Sequence, residues 1–179
     1  MSVFDLAVIG RDAESQAAVA ALRLAGGRAR SAVVISDRGG GVAALGVFAT
    51  PAARRLARLP AADGVETCAR GRIAFVRPQR DALVSVARRT AARAGAPVVV
   101  ALSQPRDEYA DVLLAESLSV VVLANPDGPV ARLALAQLAT IGVFAECRHV
   151  GAGPAVSLAR LGWSASREAQ SHTAAWEGA

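Results

Sequence analysis

Residues 96–141, APVVVALSQPRDEYADVLLAESLSVVVLANPDGPVARLALAQLATI, read as strand, helix, strand, helix with almost no slack between elements. Val98–Leu102 and Val120–Ala124 are short, continuous, valine-rich runs, the mark of strands buried on both faces in a parallel sheet between helix layers. The first run stops at Ser103-Gln104-Pro105 and leads into a helix over about 107–117. The second stops at Asn125-Pro126-Asp127-Gly128-Pro129, where Pro129 suits a first helical turn and Gly128 or Asp127 a cap. Val130, Leu133, Ala134, Leu138 and Ile141 then hold helical register until Gly142.

The same grammar extends outward. Phe4–Gly10 predicts a first strand, Asp12 a cap, and Ala17, Ala20, Ala21 and Leu24 the apolar face of a helix closed by Gly26-Gly27. Ser31–Ser36 predicts a second strand, which completes a βαβ unit. After the glycine-dense Asp37-Arg38-Gly39-Gly40-Gly41, residues 42–59 are expected to be helical, with Arg54, Arg55 and Arg58 outward, and 60–71 to be loop. Arg72–Val76 predicts a third strand stopped by Arg77-Pro78. Over Gln79–Ala94, Leu83, Val86, Ala87, Thr90, Ala91 and Ala94 form the stripe of a core-facing helix. Residues 143–150 predict a sixth strand and Ala155–Leu161 a short helix. The expectation is a single α/β domain over 1–163 and a flexible tail over 164–179. The domain is a doubly wound, mostly parallel sheet of five or six strands with helices on both faces, a Rossmann-like, P-loop-like three-layer sandwich.

Composition narrows the chemistry. The chain has 179 residues, 53% of them hydrophobic, enough for a full core, and no apolar run of the length a membrane span needs. The start lacks a basic segment followed by an apolar one, so a cytoplasmic location is expected. Cys68 and Cys147 fit no metal or redox spacing. All 20 basic residues are arginine, which excludes lysine Schiff-base chemistry and a P-loop lysine. Ten arginines lie in 51–93 against Asp63, Glu66 and Asp81, whereas 96–131 holds Arg106 against Asp107, Glu108, Asp111, Glu116 and Asp127. The basic stretch reads as a solvated face or as a surface for an acidic partner, a nucleic acid or a membrane, and its lack of aromatic residues weakens single-strand recognition.

Ligands of doubly wound sheets bind beyond the carboxyl ends of the strands. After the first strand, Gly10-Arg11-Asp12-Ala13-Glu14-Ser15-Gln16 is neither G-x-G-x-x-G nor G-x-x-x-x-G-K-[ST], and its carboxylates would repel phosphate. After the second, Asp37 stands where a dinucleotide enzyme places its ribose-binding acid, and Gly39, Gly40 and Gly41 could form an anion nest. After the next two valine-rich strands come Ser103 and Arg106, then Asn125 and Asp127. Those eight residues, Asp37 to Asp127, are the candidate ligand-binding set. Asp107 and Asp127 serve equally as helix caps. No catalytic triad, no catalytic residue and no metal-ligand cluster is legible, His149 and His172 having no matched nucleophile, and no cofactor is expected.

The order of elements resembles that of the MinD/ParA-type P-loop ATPases, particularly the CpaE/TadZ-like branch associated with division-site and pilus positioning. FDLAVIG resembles the strand before the P-loop and AVVISD, ending at Asp37, the second strand. GRIAFVRP resembles the segment before the Walker B strand, and VVVALSQPRDEYADVLLAESLSVVVLANP that strand, its helix and the next strand. The resemblance equates Gly10–Gln16 with the P-loop, which here lacks both lysine and further glycines. It equates Leu102 with the Walker B aspartate. It therefore implies a degenerate member that does not hydrolyse ATP in the usual way and acts as an interaction or regulatory partner, dimerising as the family does. The alternative is a Rossmann-like ligand- or nucleotide-binding protein or enzyme with its site over the strand ends.

Overall fold

The computed structural model describes residues 2–11, 13–26, 30–38, 48–60, 64–104 and 108–148. Its elements are β1 (Leu6–Ile9), α1 (Ala13–Ala25), β2 (Ala32–Ser36), α2 (Pro51–Ala57), β3 (Val65–Arg70), β4 (Ile73–Pro78), α3 (Leu83–Ala94), β5 (Val98–Leu102), α4 (Glu108–Ala115), β6 (Val120–Leu123), α5 (Pro129–Thr140) and β7 (Glu146–Arg148). The strands form one sheet in the order β3-β4-β2-β5-β1-β6-β7. Every neighbouring pair is parallel except β3 with β4.

Connection direction decides the layers. From β1 the chain travels one way along the sheet to β2, while β4, β5, β6 and β7 follow one another in the opposite sense. Because such crossovers are right-handed, the reversal puts their helices on opposite faces. The core divides accordingly. Val33, Ile35, Val98, Val100 and Leu102 pack with Leu83, Val86, Leu113 and Leu138 of α3 to α5, and with Leu56 of α2, whose connection ends in the antiparallel β3 and so lies outside that rule. The alternate positions, Val8, Val34, Phe75, Val99 and Ala101, pack against Ala17, Ala18, Ala21 and Ala25 of α1. A strand buried on both faces must be apolar at both parities, which is why β5 reads VVVAL. The alanine content of α1 leaves little between helix and sheet, so nine of its 13 residues are buried.

Three expectations are corrected. The sheet has seven strands rather than five or six. The added strand is β3, within the stretch 60–71 expected to be loop. Its sequence, VETCAR, is polar and half-exposed because it is an antiparallel edge strand with only one neighbour. Gly71-Arg72 closes the hairpin; positive φ at Gly71 followed by negative φ fits the type II′ turn, in which glycine takes the first central position. The helix expected over 42–59 is likewise not continuous. Thr50 is extended (φ −66°, ψ 153°) and its side chain caps Ala53 N–H, because the residue before a proline is pushed out of the helical region. β4 also runs through Arg77 to Pro78. Cys68 and Cys147 are free thiols on strands at opposite edges of the sheet. No helix among the described residues is long and apolar enough to cross a membrane. The expected short helix over Ala155–Leu161, the tail and both histidines lie outside the described residues.

Candidate functional site

β1 and β5 are neighbours whose onward connections leave toward opposite faces, so the crevice between their carboxyl ends is the topological switch point of the sheet. The first residue past β1 is Gly10. Its N–H donates to the Leu102 carbonyl at 2.9 Å. Its φ is +145°, and a Cβ there would stand 2.8 Å from Leu123 Cβ on β6. Glycine is thus required at this position by the approach of β6. Leu102 itself is buried in the core, 1% exposed.

Of the candidate residues, the fold brings Asp37 and Ser103 together. Asp37 follows β2 and Ser103 follows β5, the adjacent strand. Ser103 N–H donates to both Asp37 carboxylate oxygens (3.0 and 2.9 Å), and its hydroxyl donates to Oδ2 at 2.7 Å. The carboxylate therefore straps two strand ends. A hydroxyl on a carboxylate is half of a nucleophilic arrangement, but no histidine among the described residues completes it. Asp37 is exposed, and its carboxylate retains acceptor capacity beyond these three bonds.

Asn125 and Asp127 form a separate group beyond β6, two strands from β5. Asn125 Oδ1 accepts Asp127 N–H at 3.2 Å and the Asn125 carbonyl accepts Gly128 N–H at 2.8 Å. This turn launches α5, with Gly128 as N-cap and Pro129 in the first turn. Both polar residues thus have local roles, and Asp127 is not the cap. Gly39, Gly40, Gly41 and Arg106 lie outside the described residues, as do Asp12 and Asp107. No group of three or more His, Cys, Asp or Glu side chains among the described residues could hold a metal ion.

Sequence reasoning missed a buried ion pair on the α1 face. Arg77, at the end of β4, donates through Nε to Glu14 Oε2 (3.1 Å) and through Nη2 to Oε1 (2.9 Å), with the two side chains 7% and 9% exposed. Glu66 of β3 adds a third contact at 3.3 Å from the solvent side. Burial alone would lower the Arg77 pKa, but the Glu14 carboxylate, with Cys68 and Glu66, more than offsets it and the pKa is raised. Glu14 is thereby turned from the loop after β1 and fixes the first turn of α1. A signal was available: Glu14 falls on the same helical stripe as Ala17, Ala18 and Ala21, where a solvated carboxylate does not belong. Beside the pair, burial raises the Cys68 thiol pKa against the opposing pull of Arg77 and Arg70.

Compared with known proteins, the sequence matches no family model, no curated protein and no solved structure.

Proposed function

We propose that this chain is a non-catalytic, P-loop-degenerate relative of the MinD/ParA-type ATPases that acts through a protein partner, or a second copy of itself, in a positioning or secretion apparatus. One observation carries the reading. The two segments that the resemblance equates with the P-loop and the Walker B strand lie side by side at the switch point, joined by the Gly10–Leu102 hydrogen bond. The chemistry expected there is missing: no lysine exists in the chain, a buried leucine replaces the metal-side carboxylate, and Gly10 is packed on Leu123. A partner is supported by large apolar side chains left in solvent. Val130 and Leu133, one turn apart on α5, are 69% and 61% exposed, and Leu118 and Phe144 are 71% and 92% exposed along one groove of ≈ 450 Å³ beside β6 and β7.

The test is a thermal-shift series on the full chain with Mg-ATP, Mg-ADP, NAD and flavin, since a ligand that binds only the folded state raises its melting temperature. No shift beyond about 1 °C is expected at millimolar nucleotide, and the double variant Val130→Asp/Leu133→Asp should lower the oligomeric mass or partner capture without lowering stability. Stabilisation by several degrees with Mg-ATP, or release of phosphate, overturns the proposal. The second reading, a Rossmann-like ligand-binding protein or enzyme, draws on the exposed Asp37–Ser103 pair one strand from the switch point. Stabilisation by NAD or flavin, abolished in Asp37→Ala, would decide for it.

A further inference from the structure

We infer that the opposite end of the sheet carries a second, unrelated site: a cavity that binds a small amphiphilic anion, a carboxylate or phosphate head on a short apolar body. The cavity has a volume of ≈ 500 Å³, within the usual range for small-ligand sites, and is bounded by the end of α1, the start of β2, α2, the end of α3 and the start of β5. It lies at the amino ends of β2 and β5, away from Asp37 and Ser103.

Three arginines from three elements line it: Arg30 before β2, Arg55 on α2 and Arg93 on α3. Their neighbours have protein partners. Arg54 donates to the Ala49 carbonyl, Arg72 to the Gly26 carbonyl at the end of α1, and Arg88 to Glu116. Arg30, Arg55 and Arg93 make no side-chain hydrogen bond or ion pair with any described residue. Among the described residues, no carboxylate lines the cavity. Three guanidinium groups around one concave space repel one another and raise the local potential for an anion, which each can grip bidentately.

Apart from Ser31, the other described side chains that line it are apolar. Leu24, Leu56 and Leu59 line the cavity, and Leu24 is 47% exposed, an aliphatic surface that a ligand body would cover. The ends of α1 and α3 also face this region, and helix C-termini disfavour anions. A bare phosphate should therefore bind poorly, and the apolar body must contribute to the affinity. Ligand class follows from that balance: neither the head nor the tail suffices alone.

The experiment is isothermal titration calorimetry of the full chain with octyl phosphate, octanoate, n-octanol and inorganic phosphate, all below micellar concentrations. At least one of the two anionic amphiphiles is expected to bind with a dissociation constant below about 1 mM, and octanol and phosphate at least about tenfold more weakly. The stronger of octyl phosphate and octanoate identifies the head group. Arg55→Ser and Arg93→Ser, both at exposed positions, should each weaken binding several-fold while the melting temperature holds. Arg58→Ser, at the C-cap of α2 and outside the cavity, should leave binding unchanged. The inference fails if octanol binds as well as the anions, if Arg58→Ser weakens binding as much as Arg55→Ser, or if no amphiphile binds.

Discussion

Replacing Glu14 by alanine should be among the most destabilising single changes outside the aliphatic core. The substitution deletes both hydrogen bonds between Glu14 and Arg77 and leaves a guanidinium 7% exposed, still in contact with Glu66 at 3.3 Å. Removing one partner of a buried pair costs about 3–5 kcal/mol, because the surviving charge stays desolvated without compensation. Glu66 is itself 64% exposed, so its attraction is screened and offsets only part of the loss. The expected cost is therefore about 3 kcal/mol, a large share of the about 5–15 kcal/mol typical of a domain. Arg77→Met should cost less, about 2 kcal/mol: it keeps the aliphatic stem, and the stranded Glu14 sits in the first turn of α1, where the helix dipole favours a negative charge.

The double variant Glu14→Leu/Arg77→Met discriminates between a charge effect and general damage to packing. It removes both buried charges together and should fall within about 1 kcal/mol of the parent, since apolar replacements of buried ion pairs are often neutral or stabilising. Urea denaturation followed by far-ultraviolet circular dichroism gives all four stabilities by linear extrapolation, and the cycle gives the coupling. A loss below about 1 kcal/mol in Glu14→Ala, or a double variant as unstable as the sum of the singles, would refute the reasoning.

Gly10→Ala should destabilise by about 2–3 kcal/mol, since the new methyl meets Leu123 Cβ at 2.8 Å and the φ of +145° is hostile to any side chain; thermal melting checks it, and an unchanged midpoint would refute the steric account. Thr90 is fully buried on α3 and its hydroxyl has no hydrogen-bond partner, so the isosteric Thr90→Val should stabilise by about 1 kcal/mol in the same urea assay, and a loss instead would show that the hydroxyl is bonded. Cys68 has its thiol pKa raised by burial, so the folded state favours the neutral form. Its contribution is intact below the unfolded thiol pKa of roughly 8.5 and is lost as pH rises through the folded value, and Cys68→Ala should decline less steeply than the parent above that pH. Ellman's reagent should also modify Cys68 more slowly in the folded chain than in urea.

Much of the fold was legible because its strands are buried on both faces and must therefore be continuously apolar. β5 begins and ends where VVVAL does, and β6, VVVL, was as clear. β3 was illegible for the converse reason. An edge strand half in solvent tolerates Glu66, Thr67 and Arg70, so its composition is that of a loop, and the Gly71-Arg72 turn that pairs it with β4 is seen only in the structure. The two segments of the α1–β4 ion pair lie 63 residues apart and meet only once the sheet order is known. The Asp37–Ser103 bond has the same origin. Each residue was recognisable as a strand-end polar group, but their adjacency depends on β2 lying beside β5, which no local pattern encodes.

That adjacency also explains how a sheet of this kind can retain a framework without its chemistry. Phosphoryl transfer at a switch point needs open backbone N–H groups, a cation for the phosphates and a carboxylate for the metal. Here the first N–H past β1 is spent on the Leu102 carbonyl, and Arg77, near the end of β4, is held by Glu14 on the α1 face. Asp37, after β2, is strapped to Ser103. Each of these groups joins one element to another: β1 to β5, α1 to β4, β2 to β5. Building an ATP site at the switch point would need more than a lysine, because the Gly10–Leu102 bond would have to be broken and the approach of Leu123 to Gly10 relieved. A single substitution such as Gln16→Lys should therefore confer no Mg-ATP stabilisation in the thermal-shift assay. If it did, the strand ends would be open in solution, and packing at Gly10 could not be what closes the switch point to nucleotide.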